Sequence, residues 1–291
     1  MGTTFDAVRY TTGHGLHGTS ARRLTDTAAL QCLAAGHTAP EDVDLLINAG
    51  LYRDRNLGEP ALAALIQEDL GINPQDPGVI GHGSFSFDVA NGAAGVLVGA
   101  QIAARFLRAR TINRALIVTA DADPGHGMAP GFPFRAAGGA VLCGYDDSDR
   151  GLGDVLWRTW HDGGETWRAT VGFHDGHNSL DIVTDESFYR QAGVVAAKVA
   201  VEVLASSGLA AHDVAVVVAA PANAEFVAAL SEHSGIDDER FVIGGDQRLH
   251  TVAFVAALDR ARSAGLLTRN GTALLVCAGS GITAGAAVYR T

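Results

Sequence analysis

The sequence predicts an α/β protein of five layers, αβαβα, built from two halves related by a pseudo-twofold. Three observations carry this. Two long segments of the chain resemble each other in the same order. The central strand candidates at 45–47, 116–118, 216–218 and 274–276 are apolar on both faces, which requires helices on both sides of each sheet. Each half also carries one helix of small and aliphatic residues, and two such helices pack together as a shared middle layer.

The elements follow in order. Residues 28–50 read as a helix, an Asp42-Val43 step and a buried strand, and they align without a gap on 199–221, where the step is Asp213-Val214. A second helix at 60–72 matches 224–236, each closed by a glycine, Gly71 and Gly235. A short strand then meets a turn of small residues, Gly92 to Gly95, and a helix over 96–107 with a period near 3.6, whose counterpart is 251–264. Strand 115–121 pairs with 273–279, and 138–142 with 284–288. The halves are 1–150 and 151–291, with their junction in the polar, glycine-containing stretch 146–153. Beyond it, 155–160 reads as a strand with Trp157 and Trp160 on opposite sides.

Composition narrows the function classes. At 291 residues and 47% hydrophobic, the chain holds enough apolar surface for a large core. It lacks a bilayer-length apolar run and a basic-then-apolar leader, so a cytoplasmic protein is expected. A net charge of −11 and a pI of about 5.4 argue against nucleic acid and anionic membranes as partners. Lys198 is the one lysine. The basic cluster Arg105, Arg108, Arg110 and Arg114 reads first as a solvated helix face and second as a docking site for an acidic carrier protein. Cys32, Cys143 and Cys277 lie far apart within apolar patterns and read as buried small hydrophobes. His14 with His17, and His174 with His177, have short ligand-like spacing, but no Cys or His-Glu pair completes a metal set, so no metal is expected.

The corner at 87–99 is the place where the chain can do chemistry. A strand, a small-residue corner and a buried helix form an elbow, which aims backbone N–H groups of a helix start into a pocket that favours negative charge. Nucleophile elbows carry Ser or Cys at the tip. Here the tip holds Ala93 and Ala94.

On the repeat, on Phe87-Asp88-Val89 before the corner, and on Gly279-Ser280-Gly281-Ile282-Thr283 followed by Gly285, the chain from about Leu24 onward resembles the thiolase superfamily. Within it, the likeness is nearest to the ketoacyl-acyl-carrier-protein synthase III type. The resemblance implies a thiolase-like five-layered fold and a Cys-His-Asn set acting on an acyl thioester. By spacing to Gly99 the cysteine position is Ala93. The family's His-x-x-Asn loop reads Ala220-Pro221-Ala222-Asn223, so Asn223 remains and the histidine position is Ala220. Counting back from Leu258 places the family's asparagine at Arg248, with His250 two residues further on. The Arg-Thr-Gly-Ile segment that helps bind coenzyme A in the family has no match in 1–24.

What the resemblance implies for the site is an oxyanion hole made by Gly92, Ala93, Gly279, Ser280 and Gly281, with His250 and Asn223 as the remaining catalytic candidates. Arg248 reads as a partner for a carboxylate or phosphate, or for Asp246, and His82 as a group at the pocket mouth. The segment Tyr52-Arg53-Asp54-Arg55-Asn56 reads as solvated or as a subunit contact. No cofactor is expected; a coenzyme A or phosphopantetheine thioester is the implied substrate. Implied partners are a second copy or an active ketosynthase-like subunit, and an acyl carrier protein, in fatty acid or polyketide biosynthesis. Two functions follow: a non-condensing, thioester-binding subunit, or an acyltransferase, hydrolase or decarboxylase that forms no covalent intermediate and uses His250 as base. A third drops the acyl link, since the fold can hold unrelated small molecules.

Overall fold

Strands buried on both faces set the frame of the computed structural model, which describes residues 2–13, 20–72, 83–174, 176–267 and 270–291. The chain first runs β1 (Gly2–Thr12), α1 (Ala21–Ala35), β2 (Leu45–Asn48), α2 (Leu62–Asp69), β3 (Phe85–Asp88), α3 (Gly95–Arg108), β4 (Ala115–Asp121) and β5 (Ala137–Asp146). It continues through β6 (Gly151–Leu152), β7 (Leu156–Thr159), β8 (Trp167–His174), β9 (His177–Thr184), α4 (Phe188–Ser206) and β10 (Val216–Ala220). Last come α5 (Ala224–Ser234), β11 (Phe241–Val242), α6 (Ala253–Ser263), β12 (Thr272–Gly279) and β13 (Thr283–Arg290).

The period of two along each strand sorts side chains into layers. Ile47, Ile117 and Val141 face inward with Leu97 of α3 and Val255 of α6. Their neighbours Leu46, Leu116 and Leu142 face outward onto Cys32 and Leu33 of α1 and Ile66 of α2. The second half repeats this: Val218, Leu275 and Cys277 point into the middle layer, and Val217, Leu274 and Val276 point out to Val199 of α4 and Phe226 and Leu230 of α5. Helix pair, sheet, helix pair, sheet, helix pair is the αβαβα stack the sequence predicts.

The strand order is β11-β10-β12-β13-β6-β1-β5-β4-β2-β3, with β7 added to β13. Pairings inward from the two ends match: β3/β2 and β11/β10 are parallel, β2/β4 and β10/β12 parallel, β4/β5 and β12/β13 antiparallel. The expected junction contains β6, whose Leu152 pairs with both Thr3 and Tyr289 and so ties the two sheets into one path. The hairpin β8–β9 stands apart as a sheet of two strands.

Of the two charged stretches, the one after β2 departs from expectation, whereas the arginines at the end of α3 are exposed, the solvated face the sequence predicts. The segment after β2 is engaged within the chain: Tyr52 is buried, Arg53 pairs with Asp88 at 2.6 Å, and Asp54 accepts from Ser20 Oγ at 2.9 Å and from the Ala21 N–H at 3.0 Å, capping α1. The arginines at the end of α3 are each matched by a carboxylate: Arg105 and Arg108 by Asp154, Arg110 by Asp147 at 2.6 Å, and Arg114 by Asp6. Among the described residues no helix is long and apolar enough to cross a membrane.

Candidate functional site

Asp88 ends β3 and fixes where the corner sits. Its carboxylate accepts from the N–H groups of Leu62 (3.0 Å) and Ala63 (2.8 Å) at the start of α2, and from Asn48 Nδ2 (3.1 Å), besides Arg53. One carboxylate therefore locks α2, β2 and the segment after β2 to the approach of the elbow.

Residues 92–94 form one tight helical turn that runs into α3. The Ala94 N–H donates to the Asn91 carbonyl at 3.0 Å; the N–H groups of Gly92 and Ala93 belong to the first turn and have no acceptor among the described residues. Gly92 has φ +49°, and a Cβ on it would stand 3.0 Å from His250 Nε2, so any other residue there would be both strained and crowded. The C-terminal turn approaches as closely: a Cβ on Gly279 would lie 2.6 Å from the Asn91 carbonyl oxygen. Ala93 is packed into the middle layer, 2% exposed.

His250 precedes α6 and is placed by Asp121, the buried last residue of β4. Asp121 accepts from the N–H groups of His250 (2.8 Å), Thr251 (2.9 Å) and Val252 (3.3 Å) and from the Thr251 hydroxyl (2.7 Å). Thr251 Oγ1 in turn accepts from the Thr119 hydroxyl at 2.7 Å. Burial raises the Asp121 carboxyl above the usual carboxylate range, and these donors oppose the shift. The His250 ring stacks with Phe134 (centroids 4.6 Å, 14°) and with Trp167 (4.8 Å, 29°), and its Nδ1 lies 2.8 Å from the Tyr52 hydroxyl. Burial alone lowers its pKa to about 3, so the imidazole is neutral at physiological pH.

A cleft of about 590 Å³ opens beside this pair. It is lined by Asn91, Gly92, Ser280 and Gly281 from the two glycine turns, by Tyr52, Trp167 and Leu180, and by Arg53 and Arg168. The hairpin β8–β9 contributes Trp167 and Leu180, and the Leu180 N–H donates to the Met128 carbonyl at 2.6 Å. The cleft therefore combines apolar side chains with the glycine turn at the start of the elbow.

Of the residues singled out from sequence, Gly92, Ser280 and Gly281 line this cleft; His250 and Gly279 do not line it but lie against Gly92, and Ala93 follows Gly92 in the turn. Asn223 is not brought to it. Its Oδ1 accepts from the Glu225 N–H (2.9 Å) and the Phe226 N–H (3.2 Å), which makes it the N-cap of α5. Arg248 turns to Asp246, 3.1 Å away, and Asp246 also takes Arg135 at 2.8 Å. Those two guanidinium groups hold the Asp246 carboxyl well below the usual carboxylate range. His82, His14 and His17 lie outside the described residues. Among the described residues no group of three or more His, Cys, Asp or Glu is arranged for a metal. None of the three cysteines lines the cleft; all are buried and free, and burial pushes the Cys32 thiol up to about 12 and those of Cys143 and Cys277 well above the ordinary value.

Tyr52, Asp121 and Trp167 were not singled out for the site from sequence. Tyr52 carried a signal, as an aromatic residue at the C-terminal end of a parallel strand, where α/β folds place function. Asp121 carried another: an acid closing the apolar run Ala115–Asp121 needs buried donors.

Comparisons with known proteins agree with this architecture. Residues 204–291 match the family model for the C-terminal part of 3-oxoacyl-[acyl-carrier-protein] synthase III. Relatives named beta-ketoacyl-[acyl-carrier-protein] synthase III include that of Alkalilimnicola ehrlichii, 26% identical over 92% of this chain and 83% of the relative. Another, from Sphingopyxis alaskensis, is 29% identical over 90% of this chain and 81% of the relative. Among solved structures, the Aquifex aeolicus 3-oxoacyl-[acyl-carrier-protein] synthase III superposes with a TM-score of 0.82 at 20% identity, covering 100% of both chains. Xanthomonas campestris OleA superposes with a TM-score of 0.81 at 17% identity, covering 100% of this chain and 99% of the other. By fold the chain is thiolase-like. Within that class the matches support kinship with the ketosynthase III family.

Proposed function

We propose that the chain binds an acyl thioester of coenzyme A or phosphopantetheine in the cleft at the elbow without forming a covalent acyl-enzyme. In this role it is the non-condensing partner of an active ketosynthase-like subunit, and an acyl carrier protein is the natural source of its ligand. The observation that carries the reading is the corner itself. Gly92, Ala93 and Ala94 occupy the turn at the start of α3, Ala93 is packed into the core, and no cysteine lines the cleft. The backbone N–H groups of that turn remain for a carbonyl oxygen.

A second reading has support in one observation: His250, neutral and directed at Gly92, stands where a group acting on the thioester would stand. In that case the chain turns over its ligand alone, by transfer, hydrolysis or decarboxylation.

One experiment separates these. The purified chain is incubated with acyl-coenzyme A and acyl-phosphopantetheine, intact mass and free thiol are followed, and binding is measured calorimetrically. Binding with unchanged mass and no thiol release is the expected result. Release abolished by His250→Ala would favour the second reading, and a stable acyl adduct on the chain would overturn both.

A further inference from the structure

We infer that His250 presents a fixed N–H, not a lone pair, to the elbow, and that Tyr52 is the positioning residue that fixes it. Donors and acceptors around Tyr52 decide which ring nitrogen carries the proton. The phenol is 2% exposed, and His250 Nδ1, at 2.8 Å, is its one polar partner among the described residues. A buried hydroxyl proton requires an acceptor, and a neutral imidazole offers one lone pair. If Nδ1 carried the hydrogen and donated to the phenol oxygen, the phenol proton would be buried with nowhere to go. Burial raises the phenol pKa, so the group does not escape this by ionising. The consistent arrangement has the Tyr52 O–H donating to Nδ1 and the imidazole hydrogen on Nε2.

Nε2 is the atom directed at the corner, since a Cβ on Gly92 would stand 3.0 Å from it, and no described side chain or carbonyl accepts from it. The Nε2–H thus joins the N–H groups of Gly92 and Ala93 as a third donor at one glycine turn, and their common complement is an oxygen that gathers negative charge. Stacking on Phe134 and Trp167, and the hold of Asp121 on the His250 backbone, keep the ring from turning its other edge to the cleft. His250 then polarises a bound carbonyl and does not abstract a proton. That the carbonyl belongs to a thioester rests on the function proposed above; the place of the proton does not.

The test is nitrogen NMR of the chain labelled with 15N-histidine, together with affinity for an acyl-pantetheine analogue in which a methylene replaces the sulfur. His250 is assigned among the 11 histidines by the loss of its ring signals in His250→Gln, and those shifts should stay flat between pH 5 and 8. The expected spectrum has a protonated Nε2 and a bare, hydrogen-bonded Nδ1, and Tyr52→Phe mixes the tautomers. His250→Gln, which keeps a donor but cannot act as a base, should hold affinity within about threefold, and His250→Phe should lose roughly fivefold to tenfold. A protonated Nδ1 in the unsubstituted chain overturns the inference, as does a His250→Phe chain that binds as tightly as the parent. If the analogue is not bound at all, the thioester reading fails and the ring nitrogens alone decide the proton's place.

Discussion

At the scale of single residues, His250 couples the site to stability through pH. Its pKa falls from 6.5 to about 3 on folding because burial penalises the imidazolium. The unfolded chain takes up a proton near 6.5 while the folded one stays neutral, so the stability due to this ring is complete above that pH and is lost as pH falls toward 3. By linkage the loss is about 2 kcal/mol at pH 5. Urea unfolding at pH 7 and pH 5 should therefore show the parent chain losing about 2 kcal/mol more than His250→Gln over that interval. Equal losses would mean that His250 titrates normally in the fold. At this scale the sequence was partly legible: His250 stood out because it starts a helix, whereas Arg248 and Asn223 stood out by motif position and turned out to be held by Asp246 and by the first turn of α5. Motif spacing fixes backbone position, and what a polar side chain does there depends on which neighbour reaches it first.

At the scale of elements, the residues that hold the cleft together lie on the approach to the elbow. Asp88 satisfies two first-turn N–H groups of α2 and also receives Asn48 and Arg53, so Asp88→Ala removes a cap and leaves a half-buried guanidinium without its partner. The expected cost is roughly 3 kcal/mol, read from denaturant unfolding. Because Arg53 follows Tyr52, the same change should loosen the Tyr52–His250 bond and sharpen amide exchange across residues 51–58. Asp88→Ala with unaltered stability would show that α2 docks without it. The helices and central strands were readable because each buries a regular face. The hairpin β8–β9 was not, since Val171, Phe173 and Val183 point to solvent and no core-facing period runs through it. Its contribution to the cleft, through Trp167 and Leu180, is a tertiary fact that a two-strand pattern does not announce.

For the whole molecule, the question is whether the two proposed halves, 1–150 and 151–291, are separable. Their sequence repeat was legible because duplication preserves the order of elements, yet the feature that welds them was not: β6 is two residues, Gly151–Leu152, too short to carry a pattern. Leu152 pairs with Thr3 of β1 and Tyr289 of β13, and the Tyr289 hydroxyl accepts from the Phe5 N–H at 3.1 Å. The first and last strands therefore meet at the seam. More apolar surface is shared than stitched: Leu97 and Ala100 of α3 lie in one continuous core with Val255 and Leu258 of α6, so a cut near residue 150 would expose the inner face of each sheet. The expected behaviour is a single calorimetric transition for the intact chain, with a heat-capacity change of about 4 kcal/mol/K for its 291 residues. Residues 1–150 expressed alone should lack cooperative unfolding, because the layer that completes their core is α6. Two resolved transitions in the intact chain, or native-like amide protection in that fragment, would show that each half carries its own core and that the elbow cleft is an interface between domains.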